Sequence, residues 1–425
     1  MKQSLEKIWY FIFSNYMWLY IVIGIFTTIL GLDSILFKLF MLISFVTSLI
    51  KFSNIKLTNT IDFFVFLFLL WILFNSVTID YPNHMKLWIQ ALVANIFPIS
   101  FYFLAKSTNH NIEEILEKAT IPMLIAMICG LIFYYTEPGW YTAVKMRQIL
   151  SRTENGAVSD VQLIEYFRLS SFWVTPYVIG YATMLFADFN INKLFSKSIN
   201  KKDTRKHFVM LALCIIIIVL TQFRATIYAF ILTTVYLMFF AKNKIKLSYI
   251  IAVVSLGIFI LSFVMDENSE TGAYFRERMM KGVEQEELES RFEIVTGGIS
   301  ITSITGNGYG RFGANAPAIN GEWAFLDSEY LKVLAELGII GFIPFVGLIT
   351  SGLLKTFRKK KFQLEFIILA FYAMAFMGSS CLSVSTTFPF IFWYTLGRVS
   401  LISSSSYRRN INTSPISNDV RRICK

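Results

Sequence analysis

Three carboxylates and four arginines are the side chains with which this chain could do chemistry. Arg168 stands in Tyr166-Phe167-Arg168-Leu169-Ser170, and Arg224 in Thr221-Gln222-Phe223-Arg224-Ala225. Arg291 stands in Ser290-Arg291-Phe292-Glu293, and Arg311 in Gly308-Tyr309-Gly310-Arg311-Phe312. A guanidinium is a planar fork that grips phosphate oxygens two at a time and keeps its charge. Arg168, Arg224 and Arg291 delivered to one face would make a receptor for a lipid-linked diphosphate, with Arg311 beside them. The alternative for each is that it snorkels to lipid headgroups or pairs with an acidic loop residue. Asp327 is the first candidate for a general base, with Glu329 and Glu322 behind it. Asp327 opens a helix expected over 328–340, so an N-cap is its other reading. Glu329 lies two positions on, where a helix puts it on another face, so the two are no obvious acid/base pair. Glu284, Glu286, Glu287 and Glu289 read as a solvated face without the ligand spacing of a divalent-ion site. The three histidines, His84, His110 and His207, are scattered, which argues against a histidine metal site or triad. No metal or cofactor is expected.

The elements that must position these groups are membrane helices. The chain is 55% hydrophobic and only 16% charged, with mean hydropathy +0.57, far more apolar than a soluble domain. Runs able to span a bilayer lie at 9–30, 34–50, 61–79, 85–104, 121–137, 171–189, 208–223, 225–241, 248–265, 330–355, 364–381 and 387–404. That is about twelve. Arg224 divides 208–241 into two short spans with a tight turn between them. The first run is too long for a signal-peptide core and reads as a retained span. A net charge of +11 invites a nucleic-acid partner, but Lys and Arg fall in short clusters between apolar runs, as the positive-inside rule expects. Lys193–Lys206 and Arg358–Lys361 then lie inside, and both termini are cytoplasmic. Two sizeable loops remain outside, a medium one at 138–170 and a large, net-acidic one at 266–327. The expected fold is an all-α polytopic integral membrane protein, a single membrane domain over 1–425 without internal repeat or soluble domain. The four cysteines give no disulfide framework.

The glycine run 306–313 lacks the strand-turn-helix context of a dinucleotide fingerprint. It reads as a tight loop whose backbone N–H groups could approach a ligand, or as a merely flexible one. Tyr309, Trp323 and Tyr330 are aromatics in and beside the large loop, where interfacial belt residues are one reading of such rings.

Taken in order, these motifs resemble the O-antigen ligase and polysaccharide polymerase family (the Wzy/WaaL-like proteins). The carriers are Arg168-Leu169-Ser170, the turn Thr221–Ala225, Arg291-Phe292-Glu293-Ile294, and the glycine run. Last comes Asp327-Ser328-Glu329-Tyr330-Leu331 followed by Glu336-Leu337-Gly338-Ile339-Ile340-Gly341. The resemblance covers roughly 165–355. Ligases of the family resemble one another in a His where this chain has Asp327, and the large outer loop contains no histidine. That departure favours the polymerase branch.

The resemblance implies a GT-C-like glycosyltransferase in the bacterial inner membrane. It would join undecaprenyl-diphosphate-linked oligosaccharide repeat units at the outer face, by inverting transfer without a metal, to make O-antigen or capsule. Arg168, Arg224, Arg291 and Arg311 would bind the diphosphate, Asp327 would take the acceptor proton, Tyr309, Trp323 and Tyr330 would bind the glycan, and the spans would hold the polyprenyl tails. Membrane lipids, a chain-length regulator and a flippase are the expected partners. The alternatives are an O-antigen ligase acting on lipid A core and a lipid-linked oligosaccharide flippase or transporter. A transporter would bury charge along a central path and show related halves, whereas here the informative charges gather at one face.

Overall fold

A computed structural model describes residues 57–107, 110–150, 168–173, 175–195, 201–240, 296–297, 299–313, 316–321, 328–379, 382 and 389–403, with isolated positions at 15, 18–19, 21–23, 42–43 and 46. The described residues form helices and turns, with no strand among them. They are α1 (Thr60–Thr78), α2 (His84–Ser107), α3 (Ile112–Lys118), α4 (Thr120–Thr136), α5 (Gly139–Leu150) and α6 (Pro176–Leu194). α7 (Lys201–Leu220), α8 (Arg224–Phe240), α9 (Glu329–Thr356), α10 (Gln363–Gly378) and α11 (Pro389–Ser400) follow.

α1, α2 and α9 are long and apolar enough to cross a membrane, and α3 with α4 makes a fourth candidate bent by 52°. The lipid-facing character shows in which apolar residues stay uncovered. On α4, Ile121, Ile125, Ile128, Ile132 and Tyr135 form an exposed stripe at helical spacing, while Pro122, Met123, Ala126, Met127 and Gly130 are buried behind it. On α1, Ile61, Val65, Phe68 and Ile72 face the core, and Phe63, Phe66, Leu70, Phe74 and Val77 stand outside. A helix apolar on both faces, buried on one and bare on the other, fits a bilayer and not water.

α6 is the opposite case. Nearly its whole length is buried, from Pro176 to Ile191, among α7, α8, α10 and α4. Enclosed on all sides, it tolerates Asp188 and Asn190, both fully buried.

The spans expected from 61–79 to 225–241 and from 330–355 to 387–404 coincide with helices, with shifted ends. The expectation of 171–189 starts too early. Ser171–Trp173 is a 3-10 turn, Ser171 has a left-handed φ of 55°, and Pro176 opens the helix at its first turn. In the other direction, α7 extends back through the charged residues from Lys201, which a hydropathy window cannot see. Of the loop 138–170, the described first part is helix α5. The runs 9–30 and 34–50 lie largely outside the described residues, and 248–265 lies wholly outside.

Two devices fix the ends of the bundle. At one end Asn59 and Asp62 form a capping box, with Asn59 Oδ1 accepting from the Ile61 amide at 2.9 Å and Asp62 Oδ2 accepting from the Asn59 amide at 3.1 Å. The other oxygen of Asp62 takes both the Lys106 ammonium and the Tyr102 hydroxyl, tying the start of α1 to the end of α2. At the opposite end α9 is broken at Gly338, where φ is 65° and ψ is −169°. That conformation is open essentially to glycine alone.

A break in a helix frees backbone groups that hydrocarbon cannot satisfy. Here the loop 303–308 satisfies them. Ala335 O accepts from the Asn307 amide at 3.0 Å, and Glu336 O from the Gly308 amide at 3.1 Å. Ile339 N donates to Ser303 O at 3.3 Å, and Ile340 N to Ile304 O at 3.2 Å. The Trp71 indole donates to Leu337 O at 2.7 Å. The close approach requires two glycines. A Cβ on Gly306 would overlap the Glu336 carbonyl, and one on Gly338 would overlap the Gly306 amide.

Candidate functional site

The described arginine candidates, Arg168, Arg224 and Arg311, fall in two clusters. The first is built on Arg168. Leu169 N donates to Leu220 O at 3.2 Å, which lays the 168–170 segment across the top of α7. Arg168 is fully buried and lies over the Tyr177 ring, its guanidinium carbon 5.0 Å from the centroid. Its Nε donates to Thr221 O at 2.7 Å. Its Nη1 and Nη2 are buried and have no hydrogen-bond partner. An ion held this way is pinned at one corner and unsatisfied at the other two, an arrangement of high energy unless an anion completes it.

Arg168 opens on a cleft lined also by Phe133, Tyr134, Glu137, Tyr141, Lys145 and Ser170. Lys145, on α5, is buried and donates to Arg168 O at 2.8 Å. Two cations therefore border one cleft, and the Tyr141 ring lies 5.9 Å from the Lys145 ammonium. The turn between α7 and α8 completes this cluster. Gln222 holds a left-handed φ of 51°, so the chain reverses within Thr221–Phe223 and Arg224 becomes the first residue of α8. Arg168, through Thr221, and Arg224 are thus associated with the same turn. Arg291 lies outside the described residues.

The second cluster surrounds the helix break. Asn75 receives the Tyr309 amide at 2.8 Å and donates to Thr305 O at 2.7 Å. The Tyr81 hydroxyl donates to Tyr309 O at 2.8 Å. Glu336 Oε1 accepts from the Phe312 amide at 3.0 Å, while its Oε2 is buried without a hydrogen-bond partner. Arg311 lies over Tyr81, 5.7 Å from the ring centroid, and belongs to this cluster and not to the Arg168 cleft. The reading of the glycine run as a ligand-facing loop needs correcting. The amides of Asn307 and Gly308 bind the carbonyls of α9, and a Cβ on Gly310 would press on Ala91 and the Leu87 carbonyl.

The remaining candidates fall as follows. Tyr309 is only 4% exposed, and burial, with the Glu336 carboxylate second, pushes its phenol well above the usual range. It is a neutral framework residue with no open ring face for a sugar. Tyr330 is half-buried, packs edge-on against Phe342, Phe345 and Phe376, and donates its hydroxyl to Ala373 O at 3.0 Å. Glu329 is 1% exposed, ion-paired with Lys332 at 3.3 Å, and accepts from the Leu382 amide at 3.2 Å. The N-cap of α9 is Ser328, which accepts from the Leu331 amide at 3.3 Å. Asp327, Glu322 and Trp323 lie outside the described residues. Lys145, Gln222 and Glu336 were not singled out from the sequence. Lys145 alone carried a usable signal, a basic residue in a segment assigned to the outer side.

Residues 209–346 match the family described as O-antigen ligase, Wzy_C. The matched segment contains Arg224, the glycine loop and the break in α9, and it ends within that helix. No curated protein matches the chain. The matched segment covers about a third of the chain and overlaps the stretch from Arg168 to Gly341 whose motifs resemble the O-antigen ligase and polysaccharide polymerase family.

Proposed function

We propose that this protein is a surface-polysaccharide polymerase that joins oligosaccharide repeat units carried on undecaprenyl diphosphate at the outer face of the bacterial inner membrane. The observation that supports it most is the Arg168 guanidinium, pinned through Nε and left with two buried, unpartnered nitrogens beside Lys145. Two parallel N–H donors on a fixed plane suit a diphosphate, and a buried setting strengthens their hold on it.

In the reaction, a hydroxyl oxygen of the acceptor unit attacks the anomeric carbon of the donor chain. The bond from that carbon to the phosphate oxygen breaks, undecaprenyl diphosphate leaves, and inversion follows from attack opposite the leaving group. Arg168 and Lys145, with Arg224 at the same turn, meet the charge that develops on the diphosphate. Asp327 receives the acceptor proton.

The family description gives a second reading, an O-antigen ligase that moves a finished glycan to a different acceptor. Asp327 at the position of the ligase histidine weighs against it. A strain lacking the gene separates the two when its surface glycan and lipid-linked intermediates are run side by side. Loss of the ladder with one repeat unit still attached to its acceptor supports the polymerase. Long chains stranded on the lipid carrier support the ligase. In the same strain, Arg168→Lys keeps the charge and loses the fork, removing at least one charge-assisted hydrogen bond of about 1.5–3 kcal/mol. Polymer output should fall about tenfold or more at normal protein abundance, and an unchanged ladder would defeat the diphosphate role of Arg168.

A further inference from the structure

The turn that anchors Arg168 contains a second side chain without a partner. Gln222 is 2% exposed, and both its Nε2 and its Oε1 are buried with no hydrogen bond. Its backbone is satisfied, the amide donating to Val219 O at 3.0 Å, but holds a left-handed φ of 51°. Glycine would adopt that φ without strain, and an apolar side chain would fill the space without orphaned polar atoms. A long amide is therefore the least economical residue for this turn if the turn is only structural. Strained backbone together with unsatisfied polar groups is what a ligand-binding position retains.

On the reading of Arg168 as a diphosphate receptor, we infer that Gln222 binds the sugar joined directly to that diphosphate. The placement supports it. Arg168 Nε is bonded to Thr221 O, so the guanidinium rests on the peptide unit from which the Gln222 residue continues. The chemistry separates sugar from phosphate. An ionised diphosphate offers acceptors only, so it could satisfy Nε2 and would leave Oε1 facing other lone pairs. A sugar hydroxyl or acetamido group both donates and accepts, and satisfies both amide atoms whichever way the amide is turned.

The test uses the full-length protein in nanodiscs with two probes. One is undecaprenyl diphosphate, and the other is the lipid-linked repeat unit extracted from cells lacking the gene. Gln222→Leu should weaken binding of the sugar-bearing carrier about tenfold, the worth of one or two hydrogen bonds, and change binding of the bare carrier less than twofold. Its thermal midpoint should be unchanged or higher, because two orphaned polar atoms are removed. Gln222→Gly, which relieves the left-handed backbone, should reproduce the binding loss and guards against a folding artefact in the leucine variant. Unchanged binding of the sugar-bearing carrier in both variants would overturn the assignment. Equal losses on both probes would make Gln222 a diphosphate residue and overturn the sugar claim. If the wild-type protein binds neither probe, the diphosphate reading itself falls, a result distinct from failure of Gln222 alone.

Discussion

Gly338→Ala tests whether the break in α9 is held open by the loop it touches. The native φ of 65° with ψ of −169° places an alanine in a region that costs on the order of 1–3 kcal/mol. The new Cβ would also press on Gly306 N, Ile304 O at 2.5 Å and Ser303 O at 2.6 Å, so the strand of loop must move away. Displacing it puts the bonds from Asn307, Gly308, Ile339 and Ile340 at risk, each worth a net ~0.5–1.5 kcal/mol. A helix straightened through residue 338 recovers some of that by closing its own i→i−4 bonds. The expected net loss is therefore about 3 kcal/mol, set mainly by strain and by the displaced loop. Two measurements check it in detergent: the apparent thermal midpoint, and hydrogen exchange of the amides at 307 and 308. The variant should melt lower and lose protection at those amides. Gly139→Ala is the control, since it has open space around its Cβ and no positive φ, and it should be neutral or slightly stabilising. Unchanged protection at 307 and 308 in Gly338→Ala would refute the claim that the loop holds the break.

Other perturbations follow from the same contacts. Lys106→Met leaves Asp62 buried without its cation and should cost about 3–5 kcal/mol in unfolding experiments, with partial recovery when Asp62→Asn is added. Glu336→Gln retains an acceptor for the Phe312 amide and should fold normally, whereas Glu336→Leu orphans that amide and should lose about 1–3 kcal/mol. Asp327→Asn should abolish polymerisation at normal membrane abundance, and retained ladder would transfer the role of base to Glu322.

Where a single physical quantity decided the outcome, the sequence was readable. Uninterrupted apolar runs became α1, α2 and α9, and Arg224 between two such runs marked the turn at Thr221–Phe223. The start of α6 was not readable that way, because hydropathy cannot distinguish the 3-10 turn Ser171–Trp173 from the helix that Pro176 begins. The glycine run was legible as a close approach but not as to what it approaches. Its partner, Gly338, lies inside a helix whose break exists only because residues 303–308 are there to satisfy it. Lys145 and Gln222 stayed hidden for a related reason. What distinguishes them is how they sit against a neighbouring segment, a hydrogen bond to Arg168 O for one and the lack of any side-chain partner for the other.

The position of Glu329 bears on which carboxylate can act as base. A general base needs an oxygen free to take a proton and a path for the acceptor hydroxyl to reach it. Glu329 has one oxygen against the Lys332 ammonium and the other on the Leu382 amide, and it is closed off from solvent. Both oxygens are thus committed to neighbouring groups of the fold. Its chemistry is that of a clamp joining the first turn of α9 to residue 382, and Ser328 adds a second clamp by donating to Phe376 O at 3.2 Å. A helix start fastened to Phe376 near the end of α10 and to Leu382 beyond it is a rigid mount. With Glu329 committed to that mount, Asp327 and Glu322 remain the carboxylates to test by substitution.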